Sequence, residues 1–312
     1  MQKIIPHIWY DKEAKQAAEW YVSIFGGNSE VMSVKVLKNT PSGDCDMVSF
    51  RLWDCEFMSI SAGPFFKPNP SVSFMVNFDP SQDADAKEKI DAIWNQLREG
   101  GKILMPLDQY PFSERYGWVE DKYGVSWQLI FTKPEGEKRP LILPSLLFVQ
   151  NVCGKAKEAS DFYISVFQNA PAASGETKPG IFAPYPAGME PDKEGTTMFT
   201  DFMLQGQWIV AMDSAREHGY AFNEGISLIV NCDTQEEIDY FWEKLSVVPE
   251  VEQCGWLKDK YGLSWQIVPT DMNTMMAEGT PEQIDRVTQA FLPMKKFDLA
   301  KLREAYNGKT GA

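Results

Sequence analysis

No apolar stretch in these 312 residues approaches the roughly 20 that a bilayer span needs, and no basic-then-apolar leader opens the chain. A membrane partner is therefore not expected, and a cytoplasmic location is. Five cysteines, Cys45, Cys55, Cys153, Cys232 and Cys254, are scattered without a CxxC pair, which argues against a disulfide framework and a thiolate zinc site. Positive charge is scarce. Against 44 Asp and Glu stand 30 Lys and Arg, a net charge of −14, so a phosphate backbone is repelled at long range and nucleic acid is not an expected partner. No GxGxG-like turn follows any strand-like segment, which removes the parallel-sheet cradle that S-adenosylmethionine or a dinucleotide needs.

What is present is a repeat. GWVEDKYGVSWQLI from Gly117 to Ile130 returns as GWLKDKYGLSWQIV from Gly255 to Val268, with nine of the first twelve positions identical. EAKQAAEWYVSIF (Glu13 to Phe25) returns as KAKEASDFYISVF (Lys155 to Phe167), and IDAIWNQL (Ile90 to Leu97) as IDYFWEKL (Ile238 to Leu245). The spacing between matches differs, so the copies carry different loops. Copy one keeps MPLDQYPFSERY (Met105 to Tyr116) before its final strands, and copy two has lost most of it. Copy two has instead a Pro- and Gly-rich connection from Ala170 to Gly195.

Within each copy the hydrophobic period alternates between strand and helix. IIPHIWY reads as a strand. Ala14, Ala17, Tyr21 and Phe25 fall at helical spacing and stop at Gly26-Gly27. Extended segments follow, then a strand from Val72 to Phe78, a helix carrying Ile90, Trp94 and Leu97, and strands near Ile103, Trp118 and Val125 to Phe131. The order is βαβββ, twice per copy. Thr234 with Glu237, and Thr280-Pro281-Glu282-Gln283, read as capping boxes that open helices. The expected organisation is α+β: a first domain over 1–135, a second over 142–272, and a helical tail over 273–312 packed on the second copy. At 44% apolar and 13% aromatic residues, the chain can fill two cores.

These residues resemble a known family. The helix end Trp20 to Phe25, the stretch SAGPFFKPNPSVSF (Ser61 to Phe74), YPFSERYGWVEDKYGVSWQL (Tyr110 to Leu129) and the tail Pro281 to Tyr306 are similar to the PhnB-like branch of the glyoxalase and bleomycin-resistance superfamily, the vicinal oxygen chelate proteins. Members of this branch often carry a demethylubiquinone methyltransferase label. The resemblance implies two tandem glyoxalase-like domains, each of paired βαβββ modules enclosing a ligand or metal in a cup of strands, and an internal pseudo-dimer that leaves a further homodimer open. Metal-using members place His, Gln or Glu on the first, fourth, fifth and last strands. Here the last strand holds Gln128 and Gln266, the fifth Ser73 and Ser227, and the fourth Ser59 and Ser61 or Val210 and Asp213, leaving His7 as the one strong donor. No metal and no cofactor are expected.

Alternation places His7 and Trp9 on one face, and Ser126 and Gln128 opposite Val125, Trp127 and Leu129. His7 is the best acid/base candidate, or a hydrogen-bonded histidine under a loop. Gln128 orients a ligand or bonds its neighbouring strand. The expected site is a cup in copy one lined by His7, Trp9, Ser73, Asn77, Ser126 and Gln128, its rim closed by Tyr110, Phe112 and Arg115, which otherwise stitch one domain to the other. Asp121-Lys122-Tyr123-Gly124 is a turn signature with no assigned chemistry, and His218 sits in a surface loop. Three functions stay open: a metal-independent binder of a small molecule, a metal-dependent lyase, isomerase or dioxygenase, and a structural pseudo-dimer with filled cups.

Overall fold

The computed structural model describes residues 2–133 and 136–308. The expected first-domain boundary at 135 and the last tail residues, 309–312, lie outside them. Copy one runs β1 (Ile4–Tyr10), α1 (Ala14–Phe25), β2 (Glu30–Thr40), β3 (Gly43–Leu52) and β4 (Cys55–Ser61). A second module follows: β5 (Val72–Phe78), α2 (Ala86–Leu97), β6 (Lys102–Tyr110), β7 (Ser113–Glu120) and β8 (Ser126–Phe131). Copy two repeats this with β9 (Ile142–Phe148), α3 (Ala156–Gln168), β10 (Lys178–Pro184), β11 (Thr197–Leu204) and β12 (Gln207–Asp213). Its second module is shorter: β13 (Ile226–Cys232), α4 (Gln235–Leu245), β14 (Trp256–Lys258) and β15 (Ser264–Pro269). No described strand stands where β6 does, so the expected βαβββ order is realised three times and the fourth module is βαββ.

The strands form two mixed sheets, ordered β14-β15-β13-β1-β4-β3-β2 and β10-β11-β12-β9-β5-β8-β7-β6. Each copy sends its two modules to different sheets. β1 meets β13 antiparallel, with His7 opposite Ser227, and β5 meets β9 antiparallel, with Ser73 opposite Ser145. A cup is therefore walled by one module of each copy, not by the two modules of one copy as the resemblance implies. The two junctions join equivalent strands of the duplication, as a pseudo-twofold relation requires.

The helices lie between the sheets because their apolar stripes and the even-numbered side of β1 bury each other. Ile4, Ile8 and Tyr10 share one cluster with Tyr21 and Phe25 of α1 and Trp127 of β8. Ring contacts bridge the layer in both copies, Phe25 to Trp127 at 5.2 Å and Tyr163 to Trp265 at 5.4 Å. The duplicated turn has a role here that sequence alone did not assign. Buried Asp121 accepts from the Tyr21 hydroxyl (2.9 Å), Trp127 Nε1 (2.8 Å) and the backbone amides of Tyr123 and Val125. Asp259 does the same for Tyr163, Trp265, Tyr261 and Leu263.

The tail comprises α5 (Thr270–Glu278), α6 (Pro281–Phe291) and α7 (Leu299–Tyr306), one helix more than the capping signals announce. Thr280 and Gln283 form the full capping box, whereas Thr234 caps Glu237 while the Glu237 carboxylate turns to the Asp233 amide and to Lys3. The tail does not pack on copy two alone. It covers the outer face of the first sheet, where Leu37 and Cys45 of copy one and Ile229 and Val268 of copy two meet Met272, Met276 and Phe291. The amides of Cys254 and Gly255 donate to the carbonyls of Met294 (2.8 Å) and Lys295 (2.7 Å), beside β14. Gly255 is required there, since a Cβ would stand 2.5 Å from the Phe297 ring. Among the described residues no helix is long and apolar enough to cross a membrane.

Candidate functional site

The expected site residues do not come together. His7 and Trp9 lie on the first sheet; Ser73, Asn77, Tyr110, Phe112, Arg115, Ser126 and Gln128 belong to the second. Alternation itself holds: His7 and Trp9 do face outward together, and Trp127 and Leu129 do pack under the helices. The fourth-strand position beside His7 is Met58, its Cα partner, because Ser59 turns inward and is fully buried. In the second sheet the same position is Val210, beside Ser145.

The second sheet's cup is zipped shut by its own polar groups. Gln128 donates to Ser73 (2.8 Å) and Ser145 (3.2 Å) and accepts from the Tyr116 hydroxyl (2.6 Å). Ser126 accepts from Trp118 Nε1 at 2.6 Å. Met75, Leu143, Trp208 and Val210 fill the space beside them, and the Arg139 guanidinium lies 3.5 Å from the Trp208 ring centre. Asn77 is spent on the connection between the copies, donating to the Pro140 carbonyl at 2.7 Å. At the β6–β7 hairpin Tyr110 stacks on Phe112 and Tyr116 meets both rings edge-on, and Arg115 pairs with Asp91 of α2. Of the three expected rim residues, none closes a cup over His7.

The first sheet's cup has the equivalent strands and a different fate. Gln266 donates to Ser227 at 2.9 Å, as Gln128 does to Ser73. Cys254 occupies the position of Tyr116 and cannot reach the Gln266 oxygen with a hydroxyl. Trp256 occupies the position of Trp118, yet Ser264 Oγ, the counterpart of Ser126, is buried without a partner. Trp256 leans instead over His7, ring centres 5.3 Å apart and nearly perpendicular, and toward Trp9 at 6.0 Å. Trp9 is held by its Nε1 bond to the Gly63 carbonyl (2.8 Å) and meets Phe66 edge-on at 5.1 Å.

Beneath the tail this leaves a cavity of about 490 Å³, lined by His7, Trp9, Met58, Trp256 and Gln266 on the sheet side. Its lining is mainly apolar with a few convergent polar groups, the usual form of a small-molecule site. His7 is 5% exposed, and its Nδ1 is buried with no hydrogen-bond partner. Burial lowers its pKa to about 3, so the imidazole is neutral near pH 7 and offers one donor and one acceptor.

The four positions at which the resemblance to metal-using members would put ligands are His7, Met58, Ser227 and Gln266 here, and Ser145, Val210, Ser73 and Gln128 in the other sheet. One imidazole with an amide, a hydroxyl and a thioether supplies no anionic donor, so the set does not fit a resident zinc, nickel, iron or manganese ion. Among the described residues no cluster of three His, Cys, Asp or Glu gathers elsewhere.

Two mixed sheets, each built from one module of either copy and opening a cup on its outer face, define a protein of glyoxalase-like fold. More narrowly, the chain belongs to the family described as 3-demethylubiquinone-9 3-methyltransferase, whose model matches residues 2–130 and again 140–268. It is similar to a solved structure titled putative 3-demethylubiquinone-9 3-methyltransferase, PhnB protein, from Bacillus cereus, at 35% identity, covering 42% of this chain and all of that one, with a TM-score of 0.38. A glyoxalase I mutant from Zea mays matches over 88% of this chain and 96% of its own, at 12% identity and a TM-score of 0.52, a likeness of fold alone. Among curated proteins none matches.

Proposed function

We propose that this protein binds one small, mainly apolar molecule in the cup between β1 and β13, without a metal. The observation that carries the reading is the contrast between two equivalent cups. In one, every polar group of the Gln128 network has a partner; in the other, His7 Nδ1 is orphaned beside a cavity of about 490 Å³. An unmet buried polar atom costs about 1–3 kcal/mol, a cost that a ligand hydrogen bond removes. His7 and Gln266 orient the ligand, and Trp9 and Trp256 flank it.

A purely structural pseudo-dimer accounts for the filled cup and leaves the open one unexplained. Metal-dependent chemistry of the glyoxalase type lacks its donors. Methyl transfer, named in the family description, lacks the doubly wound parallel sheet and its glycine-rich turn. The test is thermal-shift screening of the whole chain. His7→Ala and Gln266→Ala should abolish the shift given by any hit while lowering the unliganded melting temperature by less than about 4 °C. Hits unaffected by both variants, or a full equivalent of zinc, nickel, iron or manganese retained after dialysis, would overturn the reading.

A further inference from the structure

The cavity is roofed by the tail. Met272 and Met276 of α5, Phe291 of α6 and Phe297 beyond it form one wall, facing Met47 and Met58 of β3 and β4. The shortened fourth module makes this possible, because the chain at Met294 and Lys295 bonds beside β14 where copy one carries its β6 hairpin. Thioethers on both walls adapt to varied shapes at little cost. The charged side chains lining the cavity are Glu224 and Glu250, the first paired with Lys258 at 2.9 Å, and no Lys or Arg lines it among the described residues.

We propose that the C-terminal tail is the ligand-selecting wall of this site, and that the site takes an uncharged apolar or aromatic molecule and rejects its anionic analogues. This rests on the binding reading above. An anion entering here would give up water with no lining cation to receive it and the Glu250 carboxylate nearby, whereas a neutral ring needs only apolar contact and one hydrogen bond to His7.

Two probes that share a ring skeleton and differ by one sulfonate test the charge rule: neutral N-phenyl-1-naphthylamine and anionic 8-anilino-1-naphthalenesulfonate. Probe emission excited through the chain's tryptophans, of which Trp9 and Trp256 line the cavity, reads binding to the full-length chain. The neutral probe should bind one per chain, and the anionic one at least tenfold more weakly; equal affinities would overturn the ligand class. Met276→Trp, which fills the tail wall, should weaken the neutral probe tenfold or more, while Phe112→Ser on the other sheet leaves it unchanged. Phe291→Ala, which enlarges the same wall, gives a second reading should Met276→Trp fold poorly, with an affinity change of at least threefold expected. Neutral-probe binding indifferent to both tail variants would overturn the tail's role and leave binding intact. No neutral-probe binding at all would overturn the binding reading, and this inference with it.

Discussion

At the scale of single residues, two of the buried ionisable groups, Asp121 and His7, pull stability in opposite directions with pH. Burial lifts the Asp121 carboxyl from 3.8 to about 6. Between those values the folded chain holds a proton that the unfolded chain has released, so this contribution is full below about pH 4 and gone above 6. His7 behaves conversely. The unfolded chain takes up its proton near 6.5 while the folded chain refuses it down to about 3, so stability present above 6.5 falls by about 1.4 kcal/mol per pH unit on acidification. Denaturant unfolding at pH 7 and pH 5 should show His7→Leu relieved of roughly 2 kcal/mol of the wild-type loss; an undiminished loss would mean that His7 is open to protons. Asp121→Asn should cost about 1–3 kcal/mol at pH 7, because one face of an amide donates where Trp127 Nε1 already donates. A stability within 0.5 kcal/mol of wild type, on the order of a surface change, would remove Asp121 from its place as the pin between helix and strand.

At the scale of elements, one of the differences between the open cup and the closed one is a single substitution between the copies. Tyr116 in β7 caps Gln128, and Cys254, just before β14, leaves the equivalent volume empty. Cys254→Tyr should therefore crowd the cavity from the side where Cys254 meets the Phe291 and Leu292 carbonyls, and lower ligand or neutral-probe affinity at least tenfold. Retained affinity at one probe per chain would show that the cavity under the tail is not where binding occurs. Most strands and helix faces, and the outward pairing of His7 with Trp9, are legible in the sequence, because period-2 and period-3.6 patterns depend on neighbours along the chain; the lost strand of the fourth module and the extra tail helix are not. The Asp121 pin was in view as a repeated motif and read as a turn, since the spacing shows its bend and not its burial. Trp256, Met58 and the tail methionines were missed. Their membership depends on which strand lies beside β1, and local pattern carries nothing about that.

At the scale of the whole molecule, the exchange of modules between copies explains why the site expected from copy one is split, and it makes a prediction about taking the chain apart. β1 and β5 each present a buried, apolar edge that only copy two pairs, through β13 and β9. Residues 1–135 alone would leave both edges bare, which a strand tolerates poorly. The remedy available to the fragment is a second copy of itself, with β1 of one chain against β5 of the other, because β5 is the equivalent of β13. In that dimer His7 would face Ser73 across the junction, with Gln128 beside it, in both cups. The constellation inferred from copy one, absent within the intact chain, would then exist between two chains. Sedimentation equilibrium should find the 1–135 fragment dimeric at micromolar concentration, and mixing it with residues 140–312 from separate refolding should yield a one-to-one complex that again binds the neutral probe. A folded monomeric fragment with the helical and strand content of the intact half would show that each copy closes its own sheet, contrary to the β1–β13 and β5–β9 junctions from which the site is built.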